Sequence, residues 1–265
     1  MSTNKEHYIE EAREFGASKQ ATMKDINIRN KEIEMIIRYI NVLRTHFKSP
    51  KILEIGCGNG YAAEQITKQL DIKSLVCIDS CEDFIEIAKN RESKNATFMI
   101  GDALNLDFDD SSFDIIYTER CLINLDSWKK QQKALEEIRR VLKDGGVFLM
   151  IEAFTDGLNN LNEAREDVGL EAIPQPYYDL FFDKIKFLDF INGRFVDIST
   201  INLDVNLKYS TNFLSSYYFG SRVLYPSLIS GKKELVYNNK FVEYFGYSSA
   251  YGNYSPVQMF ILRKV

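Results

Sequence analysis

The chain has 265 residues, a formal net charge of -5 and an isoelectric point near 5.3. That length suits one main α/β domain, and the acidic balance argues against nucleic acid as the principal partner, because a phosphate backbone needs a cationic footprint. The charged start, MSTNKEHYIEEAREF, lacks the apolar core of a signal peptide, and no later stretch has the length of a membrane span, so the expectation is a cytoplasmic protein without a membrane partner. The four cysteines, Cys57, Cys77, Cys81 and Cys121, show no repeated CxxC spacing and read as reduced thiols, with no metal site.

In chain order, Ile33, Ile36, Ile37, Ile40, Leu43 and Phe47 share one face of a helix within residues 30–47, part of an N-terminal helical cap over residues 1–47. Strand patterns then fall at 51–55, 74–79, 96–101, 113–118 and 147–152, separated by helical patterns near 61–70, 82–91 and 128–143. This alternation implies an α/β fold with a doubly wound parallel sheet. Asp144, Gly145 and Gly146 suit a left-handed cap that stops the helix at 128–143.

Beyond it lie a polar helical stretch, GLNNLNEAREDVGL, a proline-marked turn, IPQPYYDLFFDK, and β-rich text at 195–204 and 257–264. These last two complete seven strands, five parallel plus a C-terminal pair. The core is expected over 48–204, an insertion over 205–255 and the last strand over 256–265. The insertion holds nine of the 15 tyrosines, among them Tyr209, Tyr217, Tyr218 and Tyr237. Rigid amphipathic rings suit a lid or substrate wall, and equally a satellite core under a long connection.

The informative stretch is KILEIGCGNG, residues 51–60. A dinucleotide fingerprint runs GxGxxG and brings a pyrophosphate to a helix N-terminus. Here the glycines are Gly56, Gly58 and Gly60, with Glu54 ahead of them. A carboxylate there repels phosphates and welcomes an ammonium group. Asp79 ends the second strand 19 residues past Gly60, placed for the hydroxyls of a ribose, and Asp102 ends the third, within reach of the amino group of a base. Ribose, adenine and an amino-acid ammonium together describe S-adenosylmethionine.

LEIGCGNG, CIDSCEDFIEIA, GDALNLDF, FDIIYTERCLINL and EEIRRVLKDGGVFLMIE, in this order over residues 51–152, resemble the class I SAM-dependent methyltransferases. The resemblance implies that Glu54, Gly56, Cys57, Gly58 and Asn59 surround the methionine moiety. Asp79 and Ser80 would meet the ribose, and Asp102 and Ala103 the adenine, with Phe84 or Leu104 on a ring face. Glu119, Arg120 and Cys121 would lie where donor and acceptor meet. Arg29, before the capping helix, would approach the methionine carboxylate. No metal is demanded.

The expected reaction is methyl transfer to a soluble small molecule: a sugar, sugar nucleotide or phosphorylated metabolite of surface-polysaccharide or natural-product biosynthesis. O-methylation is favoured over N-methylation, and a non-catalytic SAM-binding regulator is the alternative. Histidine is the usual base for a hydroxyl acceptor, but His46 falls at the wrong end of the sheet and His7 reads as a solvated tail. The catalytic candidates are therefore Glu119, Arg120, Glu152 and Tyr178, with Asp179 and Tyr177 as further candidate bases near the carboxyl ends of the strands. Arg120, Arg165 and Arg222 are candidates to neutralise an anionic acceptor, and Tyr177 and Tyr178 to wall it.

Overall fold

The computed structural model describes residues 4–21, 23–199, 211–229 and 239–265. Its centre is a seven-stranded sheet of β1 (Lys51–Ile55), β2 (Ser74–Asp79), β3 (Ala96–Ile100), β4 (Phe113–Glu119), β5 (Leu142–Ala153), β6 (Phe195–Asp197) and β7 (Val257–Lys264). The spatial order is β3-β2-β1-β4-β5-β7-β6. The first five strands pair in parallel, while β7 runs antiparallel to both β5 and β6. The expected five-plus-two arrangement is what the chain forms. Chain order reverses between β1 and β4, and a doubly wound sheet opens its ligand crevice there, outside the carboxyl ends of the strands.

Parallel central strands are covered on both faces, which is why KILEI, FDIIYT and VFLMIE read as apolar runs and not as alternations. On one face Ile52, Ile115, Leu149 and Ile261 pack with α2 (Ile26–Leu43) and α3 (Tyr61–Gln69). On the other, Leu53, Ile116, Phe148 and Phe260 pack with α5 (Trp128–Val141) and α7 (Lys184–Ile191). Between these in chain order come α4 (Glu82–Lys89) and α6 (Thr155–Asp167). Among the described residues no helix is long and apolar enough to cross a membrane.

Three local expectations change. Helix α5 ends at Val141, and Leu142 is already extended at φ -77°, ψ 134°. Asp144, Gly145 and Gly146 lie inside β5 instead of capping the helix, at a register shift where the partner of Leu142 is Phe113 and that of Val147 is Ile115. Of the strand expected at 195–204, residues 195–197 form β6, and residues 200–204 lie outside the described residues, as do Tyr209 and Tyr237.

The described parts of the tyrosine-rich insertion form α8 (Ser215–Phe219), a π-helical turn (Gly220–Leu224), α9 (Tyr225–Leu228) and α10 (Lys240–Gly246). Phe213, Leu214, Tyr217 and Val242 join the core that α2 and α3 share with that face of the sheet. The N-terminus is not a solvated tail. It forms α1 (Asn4–Phe15), which seats Ala12 against Cys81 and Phe84 of the sheet domain.

Candidate active site

The carboxyl ends of β1, β2, β3 and β4 open into a cavity of about 650 Å³, within the range of small-molecule sites. Its glycine turn is fixed by backbone geometry. Gly56 has φ +81°, and a Cβ there would stand 2.5 Å from the Cys121 Sγ, so only glycine lets the turn after β4 close over it. The N–H groups of Gly56 and Cys57 both donate to the Ile78 carbonyl, which ties the turn to β2.

Asp79, at the end of β2, accepts N–H bonds from Gly58 at 2.8 Å and Cys81 at 2.9 Å. Burial nevertheless pushes its carboxyl above the usual range. Asp102 is exposed at the end of β3 and accepts the Leu104 N–H at 2.8 Å. Ser80, Phe84 and Ala103 line the cavity between these two acids, whereas Leu104 lies outside the lining.

Glu54 is only 2% exposed and sits beneath the turn, outside the cavity lining. Its Oε2 has no hydrogen-bond partner among the described residues, and burial pushes the group to about 7. Asn59 is also buried, with its amide turned away from the cavity toward the N-terminal segment.

The turn after β4 carries the densest charge. Arg120 adopts φ +52°, a left-handed conformation that costs on the order of 1 kcal/mol for a residue with a side chain. It is held there from three sides: its N–H donates to Ile151 O at 2.7 Å, its carbonyl accepts from Asn124 Nδ2 at 3.0 Å, and its Nε donates to Glu32 at 3.1 Å. Glu119 lines the cavity with Oε1 lacking a hydrogen bond among the described residues and lying 3.6 Å from Arg120 Nη2. Glu32 is fully buried behind this pair, and burial pushes its carboxyl well up.

Glu152 has a different part from the catalytic one expected of it. Its carboxylate accepts the N–H groups of Cys121, Leu122 and Ile123 at 3.1, 3.0 and 3.2 Å, so it builds the turn from below and does not line the cavity. Arg29 likewise does not reach the cavity. Its Nη1 donates to the carbonyls of Lys19 at 3.0 Å and Ala21 at 2.6 Å. Arg222 pairs with Asp25 at 2.6 Å, and Arg165 donates to Glu171 O, both outside the lining. Tyr177 is 78% exposed and lies outside the lining.

Over the cavity lies α1. His7 stacks on Tyr178 with ring centroids 4.3 Å apart, and Tyr8 donates to Asn124 Oδ1 at 2.6 Å. Asp179 follows, its carboxylate pushed to about 6 by burial against the pull of Arg120. Sequence reasoning set His7 aside and missed Tyr8, Asn124 and Gln20 of this lining, and among the described residues of the insertion Tyr218 reaches it. A signal existed: Tyr8, Ala12 and Phe15 recur at helical spacing within a run otherwise rich in charge.

Residues 53–150 match the methyltransferase domain family. They form a class I, Rossmann-like methyltransferase domain of the SAM-dependent family. A demethylmenaquinone methyltransferase of Leptospira interrogans is 36% identical over 107 residues, 38% of this chain and 42% of the relative. An O-methyltransferase of Aspergillus nomiae is 30% identical over 128 residues, 46% of this chain and 55% of the relative. The matched stretch thus spans about half the length of such curated relatives.

Among solved structures, the PH0226 protein of Pyrococcus horikoshii superimposes with TM-score 0.53 at 23% identity over 71% of this chain and 90% of that one. A chain from the complex that contains the Haloferax volcanii Trm112 methyltransferase activator gives 0.57 at 15% identity, over 99% and 97%. At this identity the likeness shows the fold alone.

Proposed function

We propose that this protein transfers a methyl group from S-adenosylmethionine to a small-molecule acceptor. The observation that carries the reading is the union of a left-handed glycine turn, Asp79 and Asp102 along one wall of a cavity at the sheet's switch point. The residues fit the donor. Asp79 has acceptor capacity left for ribose hydroxyls, and Asp102, Ala103, Ser80 and Phe84 frame a place for adenine. Gly56, Gly58, Glu119 and Cys121 face the methionine end, supported from below by Cys57, Asn59 and the unpartnered Oε2 of Glu54. When bound, the donor supplies an electrophilic methyl carbon on a sulfonium, and the protein's share is alignment and exclusion of water.

The acceptor enters between α1, the turn after β4 and Tyr178, where the lining is aromatic. The named relatives act on demethylmenaquinone or are O-methyltransferases, in keeping with a small acceptor. A phosphorylated acceptor loses support, because Arg165 and Arg222 lie outside the cavity and Arg120 is already paired with Glu32. A neutral sugar hydroxyl stays compatible with the lining.

Calorimetry tests the first half. Asp79→Ala should weaken SAM binding by about 1.5 to 3 kcal/mol in a folded variant, through lost charged hydrogen bonds. A screen of metabolite extracts with methyl-labelled SAM tests the second. Label found only in nucleic acid or protein, or SAM binding without any methyl product, overturns the small-molecule enzyme and favours the regulator.

A further inference from the structure

The acceptor half of the cavity is an aromatic box set in negative charge. His7 and Tyr8 come from α1, Tyr178 from the segment after α6 and Tyr218 from α8. The acids facing them are Glu11 on α1, Glu119 at the end of β4, and Asp179, whose carboxylate takes no hydrogen bond from a described residue. The cation at this end is Arg120, and Glu32 of α2 holds it from behind at 3.1 Å, with Glu119 at 3.6 Å. Among the described residues, Lys24, before α2, is the other basic side chain of the lining besides His7.

Two phenols feel this field in addition to their burial. Burial, helped by Asp179, raises Tyr8, and burial with Asp179 and Glu11 raises Tyr178. A hydroxyl acceptor placed beside them would be held protonated in the same way, and an alkoxide or phenolate would face carboxylates. A protonated amine shares the cost of burial, but the carboxylates that oppose an anion attract it, as do the aromatic faces.

We propose that the acceptor is a small molecule bearing a cationic amine, and that Asp179 receives the proton this amine gives up. The inference rests on the methyl-transfer reading and specifies its second substrate. The ammonium N–H bond breaks, its proton passes to the Asp179 carboxylate and the nitrogen keeps the electron pair. That pair forms the new C–N bond as the C–S bond of the donor breaks, the sulfur taking its electrons as a neutral thioether. Positive charge moves from sulfur to nitrogen without leaving the acidic box, so the field that binds the amine also suits the product.

The test uses the full chain loaded with S-adenosylhomocysteine and three probes of one shape: phenethylamine, 2-phenylethanol and phenylacetate. The amine should bind and the other two should bind at least about tenfold more weakly, by calorimetry or ligand-observed NMR. Asp179→Asn should lower amine affinity about tenfold and leave S-adenosylhomocysteine affinity unchanged, with Asp179→Glu restoring most of it. In the unmodified protein, amine affinity should drop as pH falls through 6, where Asp179 takes up a proton. Equal or tighter binding of the alcohol or the carboxylate, no amine binding to the loaded protein, or an O-methyl product from the labelled screen each overturns the proposal. Failure to bind S-adenosylhomocysteine at all instead overturns the methyl-transfer reading beneath it.

Discussion

At the scale of single residues, the site depends on places where a side chain is forbidden as much as on those where one is required. Gly56 combines φ +81° with a Cβ position 2.5 Å from the Cys121 Sγ and 2.6 Å from its Cβ. Gly56→Ala therefore incurs backbone strain of roughly 1 to 3 kcal/mol and a clash with the β4 turn. The expected outcome is a lower melting temperature and more than about tenfold weaker S-adenosylhomocysteine binding. Adding Cys121→Gly should recover the part due to the clash and leave the part due to φ, which a double-mutant cycle separates. Strict additivity of the two changes would show that the contact with Cys121 does not matter. Local signals of this kind were legible: Asp79 and Asp102 fall one after another at strand ends in the text. Glu152 and Arg29 were not, because what they bind is backbone that only the fold brings near: the N–H groups at 121–123, some 30 residues before Glu152, and the carbonyls of Lys19 and Ala21.

At the scale of elements, α1 is fastened to the sheet domain by its connector. Asn59 Nδ2 donates to the carbonyls of Gly16 at 2.8 Å and Ser18 at 2.9 Å, and Arg91 Nη2 to that of Ala17 at 2.7 Å. Arg29 takes those of Lys19 and Ala21. Consecutive carbonyls that no helix or strand satisfies are thus satisfied by side chains from α2, the glycine turn and the end of α4. Asn59→Ala should cost about 1 kcal/mol of stability, and its specific effect should be faster amide exchange over residues 4–21 with α5 unchanged. Hydrogen exchange by mass spectrometry reads this directly, and uniform loss of protection across the sheet would refute a local clasp. The helices and strands of the core could be placed from periodicity, since each buries a continuous apolar face. Helix α1 was legible only as part of the cap expected over residues 1–47, because it buries a narrow stripe of Tyr8, Ala12 and Phe15 and depends on this clasp for the rest of its support. The β5 bulge at Gly145 was hidden for another reason: glycine pairs signal a helix end and a strand irregularity alike.

At the scale of the whole molecule, the buried carboxyls set how stability responds to pH. Glu54 and Glu152 are both pushed to about 7 from an ordinary 4.5, in each case chiefly by burial, and Glu32 is pushed well up for the same reason. A raised carboxyl holds its proton in the folded chain and loses it in the unfolded one, so between pH 4.5 and 7 the folded state binds more protons. Stability from these groups is fully present below pH 4.5 and is lost as pH rises through about 7, on the order of 3 kcal/mol for each of the two over that window. Glu64 and Glu137 are shifted down by Arg91, Lys68 and Arg140, and their contribution runs the other way, disappearing as pH falls below the ordinary carboxyl range. They lie near the surface, where such pairs are worth at most about 1 kcal/mol. The ligand-free protein should therefore be more stable to urea near pH 5.5 than at pH 8, the reverse of an ordinary acid-labile protein. Glu54→Gln, which mimics the protonated carboxyl, should flatten part of that slope and hold its stability at pH 8. Urea midpoints measured at four pH values between 5 and 8 decide the matter, for a wild-type profile that is level or rises toward pH 8 would mean that these carboxyls find partners in solution and are ionised in the folded chain.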